Sequence, residues 1–379
     1  MPKISIIHFS PLELYPPVMN WLNFISVQPG IEKYQITVYT SKPQHVKEQF
    51  VPGNASIKIK RIASFSGNSI SRYLNYVKFY FLTLLGLIFN RPGTVLYYET
   101  LSAIPAVLYK KWFNRKSRLF IHYHEYTSGN EYIQGMIINR WGYRLEKSIF
   151  NQCEWISHTN NDRLRKFLQD NPEITTTNTF ELPNNPPVSW IKQEQKNIIQ
   201  LPVKMVYVGA LSLNTMYIQE LCDWVKKQEG KVILDIYSSN YAAGVTEYLD
   251  ALDKSMIRFY GGVNYFSLPL VLASYDIGVI IYKGHIENYI YNAPNKLFEY
   301  LACGLDVWFP DLMKSSWHYV TKGLYPKVIP VNFNALDQIN LDSIIDRSDL
   351  QFHASSYRCE DVLLRLWNKI ENNAATEGR

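Results

Sequence analysis

The sequence predicts an α/β protein built as two successive units, each a parallel sheet covered by helices on both faces. Three observations carry this expectation. Short apolar runs alternate with amphipathic stretches along nearly the whole chain. The alternation breaks at a polar, proline-rich segment over 186–202. Finally, 379 residues are too many for one ordinary core and suit two domains.

Taken in order, "KISIIHF" (3–9) is a short apolar run that suits a central parallel strand. The next element begins at "YPPVMNWLNFI", with Pro16 and Pro17 in the first turn of a helix. Further strands are expected at 34–40, 57–62, 94–100 and 118–125, with helical stretches between most of them. The segment 76–89 is strongly apolar, but only roughly a dozen residues separate Lys78 from Arg91-Pro92, short of the ~20 a bilayer span needs. A buried helix is expected there, with peripheral membrane contact as the alternative. Beyond 202 come a strand at 203–211, a helix at 215–228, and strands at 231–239, 257–263 and 276–282. A helix over 295–303 precedes a strand at 306–310. Near the end, Val362, Leu363, Leu366 and Trp367 recur at helical spacing.

These elements divide the chain into a first domain over 1–185, a linker over 186–202 and a second domain over 203–354. The segment 355–379 is expected to form a helix returning to the first domain, with a frayed tail from 373. No internal repeat is visible, and "TTTNT" (175–179) is the one low-complexity tract.

Composition narrows the function. Hydrophobic residues make up 47% and charged residues 19%, which suits a packed globular protein. Aromatics reach 15%, with 28 tyrosines, an excess that suits stacking on sugar rings and equally suits aromatic-rich cores. The four cysteines, at 153, 222, 303 and 359, form no metal-binding or disulfide spacing, so a reducing compartment fits. No secretory leader shows at "MPKISIIHF", and a cytoplasmic location is expected. Charge is uneven: residues 1–190 hold 21 Lys and Arg against 12 Asp and Glu, the remainder 18 against 21. The densest basic cluster, "YKKWFNRKSR" (109–118), surrounds Trp112 and Phe113 with cations. That pattern suits an anionic membrane surface, such as the inner face of the cell membrane, or a phosphorylated acceptor. A solvated helix end explains it as well. No nucleic-acid module is present, so nucleic acid is not an expected partner.

The stretch "NAPNKLFEYLACG" (292–304) carries the most chemistry. Pro294 suits the first position of a helix. The amides that follow, from Asn295 and Lys296, are unpaired and carry the positive end of the helix dipole, an arrangement that attracts anions. Lys296 adds a full charge suited to a diphosphate. Glu299 lies one turn later on the same side and can accept hydrogen bonds from two vicinal ribose hydroxyls. A surface ion pair between Lys296 and Glu299 is the competing reading.

The longer run "IRFYGGVNYFSLPLVLASYDIGVIIYKG", followed by "YNAPNKLFEYLACGLDVWF", resembles the donor half of GT-B glycosyltransferases, particularly those similar to glycosyltransferase family 4. "MVYVGALS" resembles the opening strand and glycine loop of that half, while "YYETLSAIPA" (97–106) and "HYHEYTSGNEY" (122–132) resemble strand ends of the acceptor half. The resemblance covers most of the chain and is specific mainly over 257–308. It implies two Rossmann-like domains whose parallel sheets face a central cleft, a nucleotide-sugar donor and a glycan or lipid-linked acceptor in surface polysaccharide or glycolipid synthesis.

Carried onto these residues, the resemblance makes Glu299 the ribose ligand and Lys296 the phosphate ligand. Gly209, Ala210, Asn292 and Asn295 meet the donor, and Val263 meets the base, with UDP favoured over GDP. The chain departs from the family pattern twice. Tyr291 stands where the first of two glutamates is usual, and no cation follows Gly209. In the first domain His124 and Glu125 are implied near the reacting sugar. Glu99, Glu13 and His122 are acceptor-side candidates; for Glu13 a solvated loop position is the simpler reading, and for His122 a buried, hydrogen-bonded one. The resemblance further implies retention of anomeric configuration, with Lys296 and backbone amides replacing a metal ion. No cofactor is expected. Two alternatives remain open: a sugar-nucleotide epimerase on the same scaffold, or a non-catalytic nucleotide-sugar binding subunit. A dinucleotide-dependent dehydrogenase is disfavoured because no GxGxxG follows any expected strand.

Overall fold

A computed structural model describes residues 1–42, 49–64, 69–193 and 199–374. The chain divides into two compact units, Met1–Asn184 with Cys359–Arg379, and Asn185–Arg358.

The first unit is a seven-stranded parallel sheet of β1 (Lys3–His8), β2 (Gln35–Lys42), β3 (Ile57–Ser64), β4 (Thr94–Tyr98), β5 (Arg118–Tyr123), β6 (Trp155–His158) and β7 (Thr179–Glu181). Its spatial order is β3-β2-β1-β4-β5-β6-β7. Strands β4 and β5 are buried along their whole length, which is why they read as continuous apolar runs instead of alternating ones. The connecting helices are α1 (Pro16–Ser26), α2 (Ser69–Asn90), α3 (Ala103–Leu108), α4 (Gly129–Gln134), α5 (Ile137–Lys147) and α6 (Asn161–Asp170). Residues from α2, α3 and α5, among them Phe79, Ala106 and Ile138, share one core with Val95 and Ile121 of the sheet. These three helices therefore cover the same face.

The segment 76–89 is helical, yet the expectation that it is buried holds for only one side. Tyr76, Phe79, Thr83 and Leu87 face the core, while Val77, Phe81, Leu82 and Phe89 face solvent. A helix laid on one face of a sheet buries only the side that meets it, so an apolar stretch on α2 leaves its other side in solvent.

The second unit is a six-stranded parallel sheet of β8 (Val203–Val208), β9 (Val232–Tyr237), β10 (Ile257–Tyr260), β11 (Ile277–Val279), β12 (Asp306–Pro310) and, after the short β13 (Leu324–Tyr325), β14 (Val328–Val331). The order is β10-β9-β8-β11-β12-β14, and β13 pairs separately with β15 (Gln351–Phe352). Its helices are α7 (Ile218–Lys227), α8 (Val245–Asp250), α9 (Leu268–Leu272), α10 (Glu287–Ile290), α11 (Asn295–Ala302) and α12 (Leu341–Ile345). Within the expected linker 186–202, residues 194–198 lie outside the described residues. The part before them is packed, not free: Trp190 and Ile191 join the core beneath α11, and the Lys192 amide donates to the Ala302 carbonyl at 2.8 Å.

The last helix, α13 (Cys359–Ala374), belongs to the first unit. Trp367 packs between Trp21 and Tyr34, with ring centroids 6.3 and 5.3 Å apart. Arg118 fixes its far end: the guanidinium donates to the carbonyls of Lys369 and Ile370 at 2.7 and 2.9 Å and grips Glu154. All four cysteines are buried and unpaired.

Candidate functional site

In the second unit, parallel strands β8 to β11 end along one edge of the sheet. There their exit loops gather with the start of α11, the usual place for a ligand in an open α/β sheet. Two contacts lock α11 to this edge. The Tyr300 hydroxyl accepts a hydrogen bond from the Val208 amide at 3.1 Å. The Tyr300 ring lies directly over Gly278, where a Cβ would come within 2.2 Å of it. Gly278 is thus required by close approach, which gives the "DIG" of the sequence a physical meaning.

Pro294 stands just before α11 in an extended conformation, one residue earlier than expected, and no side chain caps the helix. The first amides, beginning at Asn295, are left without intrahelical partners and carry the positive dipole end. Lys296 reaches back from this first turn to the loop after β8. Its Nζ donates to the Tyr282 hydroxyl at 3.0 Å and sits 5.6 and 5.3 Å from the ring centroids of Tyr207 and Tyr282. Burial works against its charge, but the Tyr282 and Tyr207 side chains outweigh that, and its pKa lies above the ordinary lysine value. The loop after β8 has no cation of its own; Lys296 supplies one beside Gly209.

Glu299 does not pair with Lys296. Its side chain is buried, and among the described residues no hydrogen bond is made to its carboxylate. Burial pushes its pKa up to about 7, against the pull of the Lys296 charge. The reading of these two residues as a surface ion pair is therefore set aside. The remaining donor candidates lie in the same unit. The Ala210 carbonyl accepts from the Tyr207 hydroxyl at 2.5 Å, and the Asn292 carbonyl accepts from Ser316 at 2.9 Å. Val263 packs against the core that holds Phe298 and Tyr300.

The first-unit candidates gather around the ends of β1, β4 and β5. A cavity of about 180 Å³ is lined there by His8, Tyr15, Tyr98, Glu99, Glu125 and Tyr132, among others. Glu99 lies just past β4 with φ of 61°, a conformation uncommon for a residue with a side chain. Its Oε1 accepts from the amides of His124 and Glu125 at 2.5 and 3.2 Å. Burial, reinforced by the nearby Glu125 charge, raises its pKa to about 8.

His124 is buried and stacks flat on Tyr98, centroids 5.2 Å apart. Neither of its ring nitrogens has a hydrogen-bond partner among the described residues. Burial, followed by the neighbouring His122 and His8 rings, holds it well below the usual histidine range and therefore neutral. His122 shares its side of β5, ring centroids 4.7 Å apart, but is closed off and bonded to Ser157 at 2.9 Å.

Glu13 is placed differently from either reading of the sequence. It is neither solvated nor in the cavity: Oε1 accepts from Arg61 at 2.5 Å and from the Phe50 amide at 2.9 Å. Arg61 on β3 supplies the partner, which sequence spacing could not reveal. His8, Tyr15 and Tyr132 line the cavity without having been singled out. Their signal, aromatic residues at or after strand ends, is too common to act on. Among the described residues, no three His, Cys, Asp or Glu side chains gather to hold a metal.

No family model matches the chain, and no curated protein matches it. Solved structures do. Sucrose-phosphate synthase from Thermosynechococcus elongatus superimposes with a TM-score of 0.65 at 13% identity, covering 99% of this chain and all of that one. The apo lipopolysaccharide outer core galactosyltransferase WaaB gives 0.58 at 13%, covering 98% and 99%. A putative UDP-N-acetylglucosamine 2-epimerase from Listeria monocytogenes gives 0.60 at 11%, covering 98% and 96%. At such identities the likeness is one of fold. The fold is GT-B: α/β, with two parallel sheets of seven and six strands.

Proposed function

We propose that the protein is a glycosyltransferase that takes its sugar from a UDP-sugar and passes it to a glycan or lipid-linked hydroxyl acceptor. The observation that carries this reading is the placement of Lys296 and Glu299. The cation stands beside Gly209 at the start of a helix whose first amides lack intrahelical partners, and the acid is buried one turn on without a hydrogen-bond partner among the described residues. A diphosphate meets the first, and a ribose with two adjacent hydroxyls meets the second. The fold-level likeness to WaaB and sucrose-phosphate synthase supports the same reading.

In this reading the sugar–phosphate bond breaks as negative charge builds on the diphosphate, which Lys296 and the first amides of α11 stabilise. Independence of metal belongs to the proposal because the chain itself supplies positive charge, and retention of configuration belongs to it through the resemblance of the "NKLFEY" segment to retaining enzymes. The cavity beside Glu99, Glu125 and the aromatic rings of the first unit is the proposed acceptor side. Hydroxyls suit its carboxyl groups, and a sugar ring face suits Tyr15.

The test is a thermal-shift and calorimetric screen of UDP, GDP and ADP, followed by incubation with labelled UDP-sugars with and without EDTA. Selective stabilisation by UDP, and transfer or slow hydrolysis unaffected by EDTA, is expected. Interconversion of the sugar would replace the proposal with an epimerase, and UDP binding without turnover would replace it with a binding subunit. Failure of every nucleotide to bind would remove the donor assignment.

A further inference from the structure

We infer that the solvent face of the α2–α3–α5 layer is a docking surface for an anionic lipid bilayer. The first observation is apolar exposure. Helix α2 runs for 22 residues, about 33 Å. Its outer face presents Leu74, Val77, Phe81, Leu82 and Phe89, the last 81% exposed. Surface helices normally turn polar residues outward, and contiguous apolar exposure on this scale marks an interaction site. The five-residue π-helical turn that follows α3, Tyr109–Phe113, aims Trp112 and Phe113 into solvent at 71% and 52%. The outer side of α5 adds Ile137 and Trp141. The turn and α3 both pack against α2, and α3 packs against α5, so these residues belong to one layer over one face of the sheet.

The second observation is charge. From 69 to 118 the sequence holds eight Lys and Arg and a single acid, Glu99, which faces the cavity on backbone amides. Not all of the basic cluster at 109–118 is free. Lys110 is folded onto the carbonyls of Arg115 and Ser117, and Arg118 is buried against Glu154 and α13. Lys111 donates to Ser148 at 2.6 Å and Arg115 to the Lys111 carbonyl, so both keep their charge beside Trp112 and Phe113, as does Lys116; Lys78 rises from the apolar face of α2, and Arg140 and Arg144 lie on α5. Nearby acids are occupied: Glu131 caps α4 and Glu173 pairs with Lys147.

Exposed aromatic and aliphatic side chains within a field of cations are what an anionic membrane surface attracts, the rings entering the headgroup region and the cations meeting lipid phosphates. A second copy of the chain fits less well, because a two-fold contact would set the same cations against each other. Among the described residues no helix is long and apolar enough to cross a membrane, so the binding is to a surface. This inference concerns the first unit and does not rest on the donor site.

The test floats the full chain with vesicles of phosphatidylcholine alone or with about a third phosphatidylglycerol, at low and high salt. Binding to the anionic vesicles is expected, falling about tenfold or more in high salt, since each cation near the surface contributes roughly fivefold. Phe81→Glu with Phe89→Glu should abolish flotation while leaving the melting temperature unchanged; Trp112→Ala with Phe113→Ala is an independent pair of exposed positions. No binding at low salt, equal binding to neutral vesicles, or unaltered binding by both pairs would overturn the inference. So would a stable dimer in light scattering that Phe81→Glu dissolves without any vesicle binding.

Discussion

Lys296 occupies the space that a side chain at Gly209 would need. A Cβ there would fall 2.7 Å from the lysine Cε and 2.8 Å from Nζ, and Gly209 itself has φ of 145°. Two separate motifs, the glycine after the first strand of the unit and the lysine of "NKLFEY", are thus one structural feature. Gly209→Ala is expected to push the ammonium out of position and weaken UDP binding about tenfold or more. Its stability cost should stay near 1–2 kcal/mol, the strain of a side chain at positive φ. Calorimetry beside a denaturant melt separates the two effects, and Lys296→Ala should match the affinity loss without any strain at residue 209.

Glu299 carries a pH signature. Its folded pKa is raised to about 7 by burial, and only the ionised carboxylate accepts from both ribose hydroxyls at once. Affinity for a UDP-sugar, whose diphosphate does not titrate in this range, should therefore fall as pH drops from 8 to 6. Glu299→Gln should bind more weakly at pH 8 and lose the pH dependence. Titrations at three pH values on both proteins decide this.

Glu99 makes the complementary case through stability. Its pKa rises from 4.5 to about 8 on folding, so the stability tied to its protonated form is complete below 4.5 and is lost as pH rises through 8. Glu99→Gln removes that loss. The variant should gain on the wild type by about 4 kcal/mol between pH 5 and pH 9, roughly 1.4 kcal/mol for each pH unit up to 8, read from paired urea melts. A constant difference across that range would show that the carboxyl does not titrate as its surroundings dictate.

Arg118 holds α13 through two carbonyls and holds Glu154 through a bidentate pair. Arg118→Ala should cost about 2–4 kcal/mol by leaving these acceptors unpaired in a closed setting. Hydrogen exchange of the last helix should accelerate before that of β4 or β5.

Much of this was legible in the sequence because strands buried on both faces announce themselves as apolar runs. β1, β4, β8 and β9 all read that way, and α11 was marked by proline before it and glycine after it. β6 and β7 passed unseen because they are short and carry polar residues such as Ser157, His158 and Thr179, and β14 because its four residues are interrupted by Pro330. At the site, Lys296 and Glu299 were visible through helical spacing. What spacing could not give was direction. It did not show that Lys296 turns away from Glu299 to Gly209, or that Glu13 finds Arg61 48 residues later. For α2 the sequence left burial and membrane contact both open for a related reason: an apolar helix does not disclose whether a second layer covers it.

The return of α13 means that the second unit is threaded into the first as an insertion, with one crossing at Asn184–Asn185 and another at Arg358–Cys359. A single proteolytic cut therefore cannot free either half intact. A fragment stopping at Asn184 would bare Trp21 and Tyr34 to water, whereas splicing the final helix directly onto residue 184 should restore a self-sufficient lobe.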